Sequence, residues 1–383
     1  MVGPGAITTA AMLGSSYGYH MLWLFIPIFI MSITFMLTCY RLAMLTGMPL
    51  LHGIRHYYGH GAAAFVGICL FFSCLFFTFG NISGSGAGMS LLFGVDWKIG
   101  ALIMLALLLG LYFSKDTYSK IEKGVMVCIL GMILAFYATL YASGGPDPQG
   151  FILGLTHWGF PEGSVLGSLA FLSTHASITA GIYGTYLGAE KKWKKQDLFN
   201  GTMMSDACAH VLTVILISGA IVTVGAIVLH PTGLTISSPV QMAGMLEPVL
   251  GSKARFVMGA ALLGSAFSAL MGNTQRGVVL LNAGLGWEVG LESRRVRWSC
   301  VACLLLGVIV CFAYSGSPTQ LIFLANLATS IGTPTAGLFV TLMIWRKDVQ
   351  AGLKPPRLLQ LTMTLCYLFT TALTLYSFGA RFL

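Results

Sequence analysis

Residues 3–23 read GPGAITTAAMLGSSYGYHMLW. Gly3-Pro4-Gly5 cannot continue a regular helix, because Pro4 has no N–H to donate and the two glycines release the backbone from side-chain constraint. From about Ala6 onward the stretch is apolar and compatible with a helix. A break inside an apolar segment is informative. Backbone in lipid must satisfy its own hydrogen bonds, and broken backbone persists there only against protein or a water-filled cavity. Carbonyls freed at such a break can coordinate a cation, and the helix beyond it presents its N–H groups. A plain helix start with Pro in its first turn is an equal reading of this motif alone.

A second break signal lies about half a chain away. Residues 170–175 read AFLSTH, and the ASITA of 176–180 echoes the AITTA of 6–10. Ser173 and Thr174 offer hard hydroxyl oxygens, and His175 offers a nitrogen or a titratable proton. A histidine at membrane depth is a functional candidate, although one hydrogen-bonded between helices is the structural alternative. Transporters built from inverted repeats carry broken helices at corresponding positions of their two halves. Further polar points are Asn326, which is either an ion ligand or interhelical glue, and Asn273 to Arg276 late in another span. Asp206 and His210, four apart on one helix face, read as a local ion pair.

The surroundings of these breaks are lipid-like. Of 383 residues, 56% are hydrophobic and 9% charged, against roughly 25% charged in a soluble domain. The chain therefore lacks the charge to wet a globular surface. Apolar spans of about 20 residues, enough to cross a bilayer, fall at about 19–46, 62–94, 98–114, 121–143, 164–188, 203–229, 255–284, 297–314, 319–345 and 358–380. A short helix at about 5–16 precedes them. The runs show no period of two, which excludes a barrel. The expected fold is all-α, in one membrane domain over 1–383, placed in the cell membrane of a bacterium. The segments 144–163 and 230–252 read as polar outer loops, and 48–60 as a basic loop or interfacial helix.

Lys and Arg concentrate in loops on one side: Arg55, Lys115, Lys120, Lys123, the run Lys191-Lys192-Trp193-Lys194-Lys195, Arg294, Arg295, Arg297, Arg346, Lys347, Lys354 and Arg357. The other side holds Lys98, Lys253, Arg255 and Arg381. The first side is therefore cytoplasmic. Scattered over loops, these charges do not form a nucleic-acid surface. The nine cysteines lie in or beside apolar spans, and a single C-x-x-C (Cys300, Cys303) does not make a zinc site. No phosphate loop, zincin motif or hydrolase elbow occurs, so an enzyme is not expected. No resident cofactor and no obligatory protein partner are expected either. The partners are lipid and the transported ion.

The motifs as they stand resemble the NRAMP divalent-metal transporters. The 3–23 stretch is similar to that family's first-helix segment, which begins D-P-G-N. AFLSTH is similar to its sixth-helix A-x-x-M-P-H, and LTGMPLLHGIRHYYG (45–59) and SLLFGV (90–95) fit further family positions. The resemblance covers essentially the whole chain. It implies a LeuT-type fold of two inverted five-helix repeats, about 1–143 and 164–345, plus an eleventh helix at about 358–380. It also implies a first helix that is incomplete at its N-terminal side.

By the same resemblance, the metal site falls on Gly3, Ala6, Ala170, Ser173, Thr174, His175 and Asn326. The family's aspartate falls on Gly3, its asparagine on Ala6, its methionine on Ser173 and its proline on Thr174. The proton-pathway acids fall on Thr78 and Asn81. Losing a thioether removes preference for soft ions, and losing carboxylates leaves room for an ion that keeps its water, as Mg²⁺ prefers to. The implied function is uptake of Mg²⁺, with Mn²⁺ as the other candidate ion, without tight proton coupling, as in the family's divergent magnesium branch. A membrane potential of 100 mV supplies about 4.6 kcal/mol for a divalent ion. The alternatives are a proton-coupled Mn²⁺/Fe²⁺ transporter using His175, an amino-acid or other organic-solute carrier of the same fold, and a non-transporting sensor.

Overall fold

The computed structural model describes residues 3–382 except 113–114, 188–192, 194, 291–292, 351–352 and 354–355; for 111–112, 115–125 and 380–382 only the backbone is described. Among the described residues there is no strand. Sixteen α-helices follow one another: α1 (Pro4–Tyr17), α2 (Phe25–Thr46), α3 (Leu50–Phe93), α4 (Trp97–Tyr112), α5 (Lys115–Ala142), α6 (Pro148–Thr156), α7 (Ser164–His175), α8 (Ile178–Leu187), α9 (Thr202–Val224), α10 (Pro239–Gly244), α11 (Glu247–Leu250), α12 (Ala254–Leu285), α13 (Arg294–Ala313), α14 (Pro318–Ala328), α15 (Gly332–Trp345) and α16 (Arg357–Phe382). Among the described residues, eight helical segments are long and apolar enough to cross a membrane, and two shorter apolar helices, Trp97–Gly110 and Met126–Ala142, complete the ten regions expected from hydropathy.

Two segments are too long to be one crossing. Pro4–Thr46 runs 43 residues, about 65 Å at 1.5 Å per residue, twice the hydrocarbon thickness. It divides at a 3₁₀ turn, Gly18–Leu24, so the expected span at 19–46 begins in that turn. Trp23 stacks on Trp158 at 5.7 Å and donates to the Gly159 carbonyl at 3.0 Å, an aromatic anchor of the kind found at membrane interfaces. Likewise α3 joins the basic segment at 50–58 to the span that follows across Gly59, whose φ of 87° only glycine adopts readily. Of the two readings of 48–60, loop or helix, the structure gives a helix from Leu50.

The two loops expected on the outer side are more ordered than their polarity suggests. Asp147 caps α6 by accepting from the Gly150 N–H at 2.7 Å, with Pro148 opening the helix. Ser238 and Gln241 form a capping box over α10, again with a proline at the first turn.

The core sits where α1, α2, α7, α9 and α12 meet, with Ile7, Leu13, Ile28, Phe35, Phe171 and Leu262 almost wholly buried. α3 and α12 approach so closely that a Cβ on Gly67 would stand 2.7 Å from the Gly284 Cα. The exposed large side chains, among them Phe65, Leu107, Leu216, Ile309 and Leu365, form the surface a bilayer would cover. Arg55 closes the C-terminal end of α12, donating to the Ala283 carbonyl and, at 2.9 Å, to that of Gly284, where a helix end lacks partners and favours a cation. Lys191, Lys192, Lys194 and Lys354 lie outside the described residues, as do the side chains of Lys115, Lys120, Lys123 and Arg381.

Candidate functional site at the helix breaks

The two break signals meet in space. α1 begins at Pro4 with extended Gly3 before it (φ −92°, ψ 173°). α7 ends at His175, and Ala176 (φ −124°, ψ 54°) turns the chain before α8 starts at Ile178. Between them lies a cavity of about 90 Å³, room for several waters at about 10–15 Å³ each on this measure. Gly3, Ala6, Thr174, His175 and Asn81, five of the residues singled out in the sequence, line it. So do Ser32 and Met36 from α2, Phe77 from α3, Ser177 and Ala180 beyond the break, His210 and Val214 from α9, and Ala269, Asn273 and Arg276 from α12.

Ala170, Ser173, Asn326 and Thr78 stand outside this lining. Ala170 is wholly buried, and its carbonyl accepts from the Ser173 and Thr174 hydroxyls at 3.0 and 2.7 Å. Ser173 also donates to the Asn326 carbonyl at 2.9 Å, and borders a separate small cavity with Ser330 and Thr374. The Asn326 amide lies against the start of α1: a Cβ on Gly5 would come within 2.4 Å of its Oδ1. Its Nδ2 has no partner although the residue is 1% exposed. Thr78 pairs with Thr274 at 3.2 Å, so two neutral hydroxyls stand where the family resemblance places a carboxylate.

His175 has both ring nitrogens engaged. Nδ1 lies 2.8 Å from the Phe171 carbonyl and Nε2 2.7 Å from Ser218 Oγ. A carbonyl only accepts, so Nδ1 carries the proton and Nε2 accepts from the serine. In this arrangement the imidazole is a structural strut with no lone pair left for a metal. The cavity instead offers oxygen. Ser32 donates to the His175 carbonyl at 3.1 Å and Thr174 to Ala170, so their protons are committed and their lone pairs remain. Asn81 is 3% exposed and its Nδ2 is unpartnered, with Oδ1 3.2 Å from where a Gly3 Cβ would sit. Among the described lining residues there is no carboxylate. One thioether, Met36, and one guanidinium, Arg276, face the same space, the latter 5.5 Å from the Tyr183 ring centroid.

Lining residues His210, Asn273 and Arg276 sit in the halves of α9 and α12 nearer the basic loops, so the cavity opens on the basic-loop side of the breaks. Toward the other side, Ile7, Ala10, Ala11, Leu169 and Leu172 pack without exposure above 3%. Sequence reasoning missed Ser32 and Met36, a pair four apart on one face of α2. It noted Asn273 and Arg276 without joining them to Ala269, although the steps of four and three put all three on one stripe of α12.

The chain matches a known family and known folds. The family model described as "Natural resistance-associated macrophage protein-like" (Nramp) matches residues 1–379. The divalent metal cation transporter MntH of Klebsiella pneumoniae subsp. pneumoniae is 23% identical over 360 residues, covering 91% of this chain and 83% of its own. That of Agrobacterium fabrum is 25% identical over 342 residues, covering 86% and 73%. A crystal structure of a manganese transporter variant from Eremococcus coleocola superposes with a TM-score of 0.69 at 15% identity, over 99% of this chain and 84% of that one. Mhp1, a nucleobase-cation-symport-1 family transporter, gives 0.51 at 12% identity, over 98% and 92%. At these identities the structures speak for the fold alone, a helical fold of the LeuT type; the short α1 and the ten expected regions make eleven, of which α16 is the last.

Proposed function

The chain belongs to the Nramp family, and we propose that it carries divalent metal cations across the membrane by alternating access, binding them in the cavity between the broken α1 and α7. In this reading, residues about 1–143 and 164–345 act as two inverted repeats, with α16 added. The observation that carries it is the lining itself. Oxygen acceptors at Ser32, Asn81, Thr174, Ser177 and Asn273 line a space with room for several waters at two helix breaks.

The finer reading is a largely hydrated ion, Mg²⁺ first and Mn²⁺ as well, without obligatory proton coupling. Three features support it. The described lining has no carboxylate to strip water from the ion or to relay protons. Ser173 is tied to the Ala170 and Asn326 backbone carbonyls, outside the cavity lining. His175 is held by Phe171 and Ser218. The ion would then keep several waters and touch hydroxyl, amide and break carbonyls.

A second reading, a Mn²⁺/Fe²⁺ transporter of the MntH type, is favoured by Met36. Its thioether restores to the cavity the soft ligand lost at Ser173, and the relatives' names point the same way. Proteoliposomes with Mg²⁺ and Mn²⁺ indicators outside and a pH dye inside separate the two. Uptake of both ions without acidification fits the first reading. Mn²⁺ uptake alone, with acidification, replaces it by the second. Uptake of neither under an inward-negative potential overturns both.

A further inference from the structure

Three histidines gather at the opposite end of the molecule, around a cavity of about 360 Å³ bordered by the turn after α1, the end of α6 and the segment after α9. They are His20, His157 and His230, all exposed. Two of them are prepared in the same way. His20 Nδ1 lies 3.0 Å from the Tyr17 carbonyl, and His230 Nδ1 3.1 Å from the Ser15 carbonyl. These acceptors belong to the last turn of α1, two residues apart, so both rings are anchored to one helix end. A carbonyl requires the proton on Nδ1, which leaves Nε2 of each neutral ring with an open lone pair. Metal-bound histidines show this arrangement, with the second nitrogen donating to a backbone carbonyl and fixing the tautomer.

The helix end adds its own field. The last carbonyls of α1 carry partial negative charge, which favours a cation. The backbone is shaped around the ring: a Cβ on Gly18 (φ 57°) would meet His230 Cδ2 at 2.9 Å and Nε2 at 3.1 Å, so only glycine lets the imidazole lie there. His230 itself follows a single π-helical turn, Gly225–Leu229, a feature that recurs at functional sites. Nothing in the transport reading uses these residues.

We infer that His20 and His230 form a binding site for a borderline divalent transition-metal ion of the Zn²⁺ or Cu²⁺ class on the non-cytoplasmic face, separate from the transport cavity. Imidazole nitrogen suits these ions and not Mg²⁺. Among the described residues no three potential ligands stand close enough to enclose an ion. Water therefore fills the remaining positions, and His157, on the rim, is the third ligand only if α6 shifts.

Electron paramagnetic resonance of the full chain with one equivalent of Cu²⁺ tests this. The background carries His56→Ala and His60→Ala, which removes exposed histidines of the cytoplasmic face. Two coupled nitrogens are expected, falling to one in His20→Ala or His230→Ala, with affinity for Cu²⁺ and for Zn²⁺ by calorimetry reduced at least tenfold. His157→Ala leaves the two-nitrogen signal in place. Circular dichroism melting identifies any variant that fails to fold, and for such a position the glutamine substitution replaces alanine. An unchanged spectrum and affinity in folded protein carrying both His20→Ala and His230→Ala on this background overturns the assignment. So does a parent protein that binds neither ion at millimolar concentration.

Discussion

Arg276 gives the sharpest test of the transport cavity, because a fixed positive charge in a cation site should weaken binding by an amount that geometry sets. Ala269 Cβ lies 3.2 Å from the Cβ position of Gly3, which places that residue level with the break. Arg276 follows seven residues later on α12, about 10 Å along the axis at 1.5 Å per residue. A divalent ion at the break and a guanidinium about 10 Å away repel by about 0.8 kcal/mol in bulk water and about 3 kcal/mol at an effective dielectric of about 20. A wet, protein-lined cavity lies between these limits. With about 1.4 kcal/mol per decade, Arg276→Gln should tighten the apparent affinity for Mn²⁺ and Mg²⁺ by about tenfold, within bounds of about fourfold and a hundredfold. Arg276→Lys, which keeps the charge, should change it little. The assay is initial-rate uptake into proteoliposomes across a concentration series, repeated at high ionic strength, where screening narrows the difference. Equal affinities for Arg276→Gln and the parent protein, or weaker binding in the variant, would refute the placement of the ion in this cavity.

Other substitutions separate structural from ion-binding roles. Gly5→Ala drives a Cβ into the Asn326 amide and should cost about 1–3 kcal/mol by overpacking, read as a lower melting temperature; adding Asn326→Ala should recover most of it. His175→Ala leaves Ser218 and the Phe171 carbonyl without their partner, so a loss of about 1–3 kcal/mol of stability is expected. Its uptake per folded molecule should keep the parent's pH profile, whereas loss of a proton carrier would flatten that profile. Met36→Leu keeps volume and removes the thioether. Cd²⁺ competition with Mn²⁺ uptake should weaken severalfold while Mg²⁺ uptake is unchanged, and a parallel loss of Mg²⁺ uptake would argue that Met36 only packs.

The fold was legible because its signals are collective. Twenty-residue apolar runs and one-sided Lys and Arg need no single residue to be interpreted correctly. The position of the break was legible as well, since Ser173-Thr174-His175 closes α7 just before the turn at Ala176, whereas Gly3-Pro4-Gly5 marks the start of α1. What the letters did not carry was direction. Ser173 and Thr174 are adjacent, yet a 100° step between neighbours turns Thr174 to the cavity and Ser173 to the Asn326 carbonyl. His175 looked like a free ligand because the hydroxyl that occupies its Nε2, Ser218, is 43 residues away. Ser32 and Met36 were hidden in α2, where one serine and one methionine among apolar residues resemble ordinary core. The helices α6 and α10 were missed despite their Asp-Pro and Ser-Pro starts, because they are short and lie in loops where hydropathy has no period to show.

The central claim is that a divalent ion sits between the two broken helices with protein oxygen and water as its ligands. Anomalous diffraction from crystals soaked in Mn²⁺ measures this directly. The account predicts a peak between Gly3–Ala6 and Thr174–Ser177, within reach of Thr174 or Asn81 oxygen and not of the His175 ring. No peak there at saturating Mn²⁺, or a peak bonded to His175 Nε2 with Ser218 displaced, would contradict it.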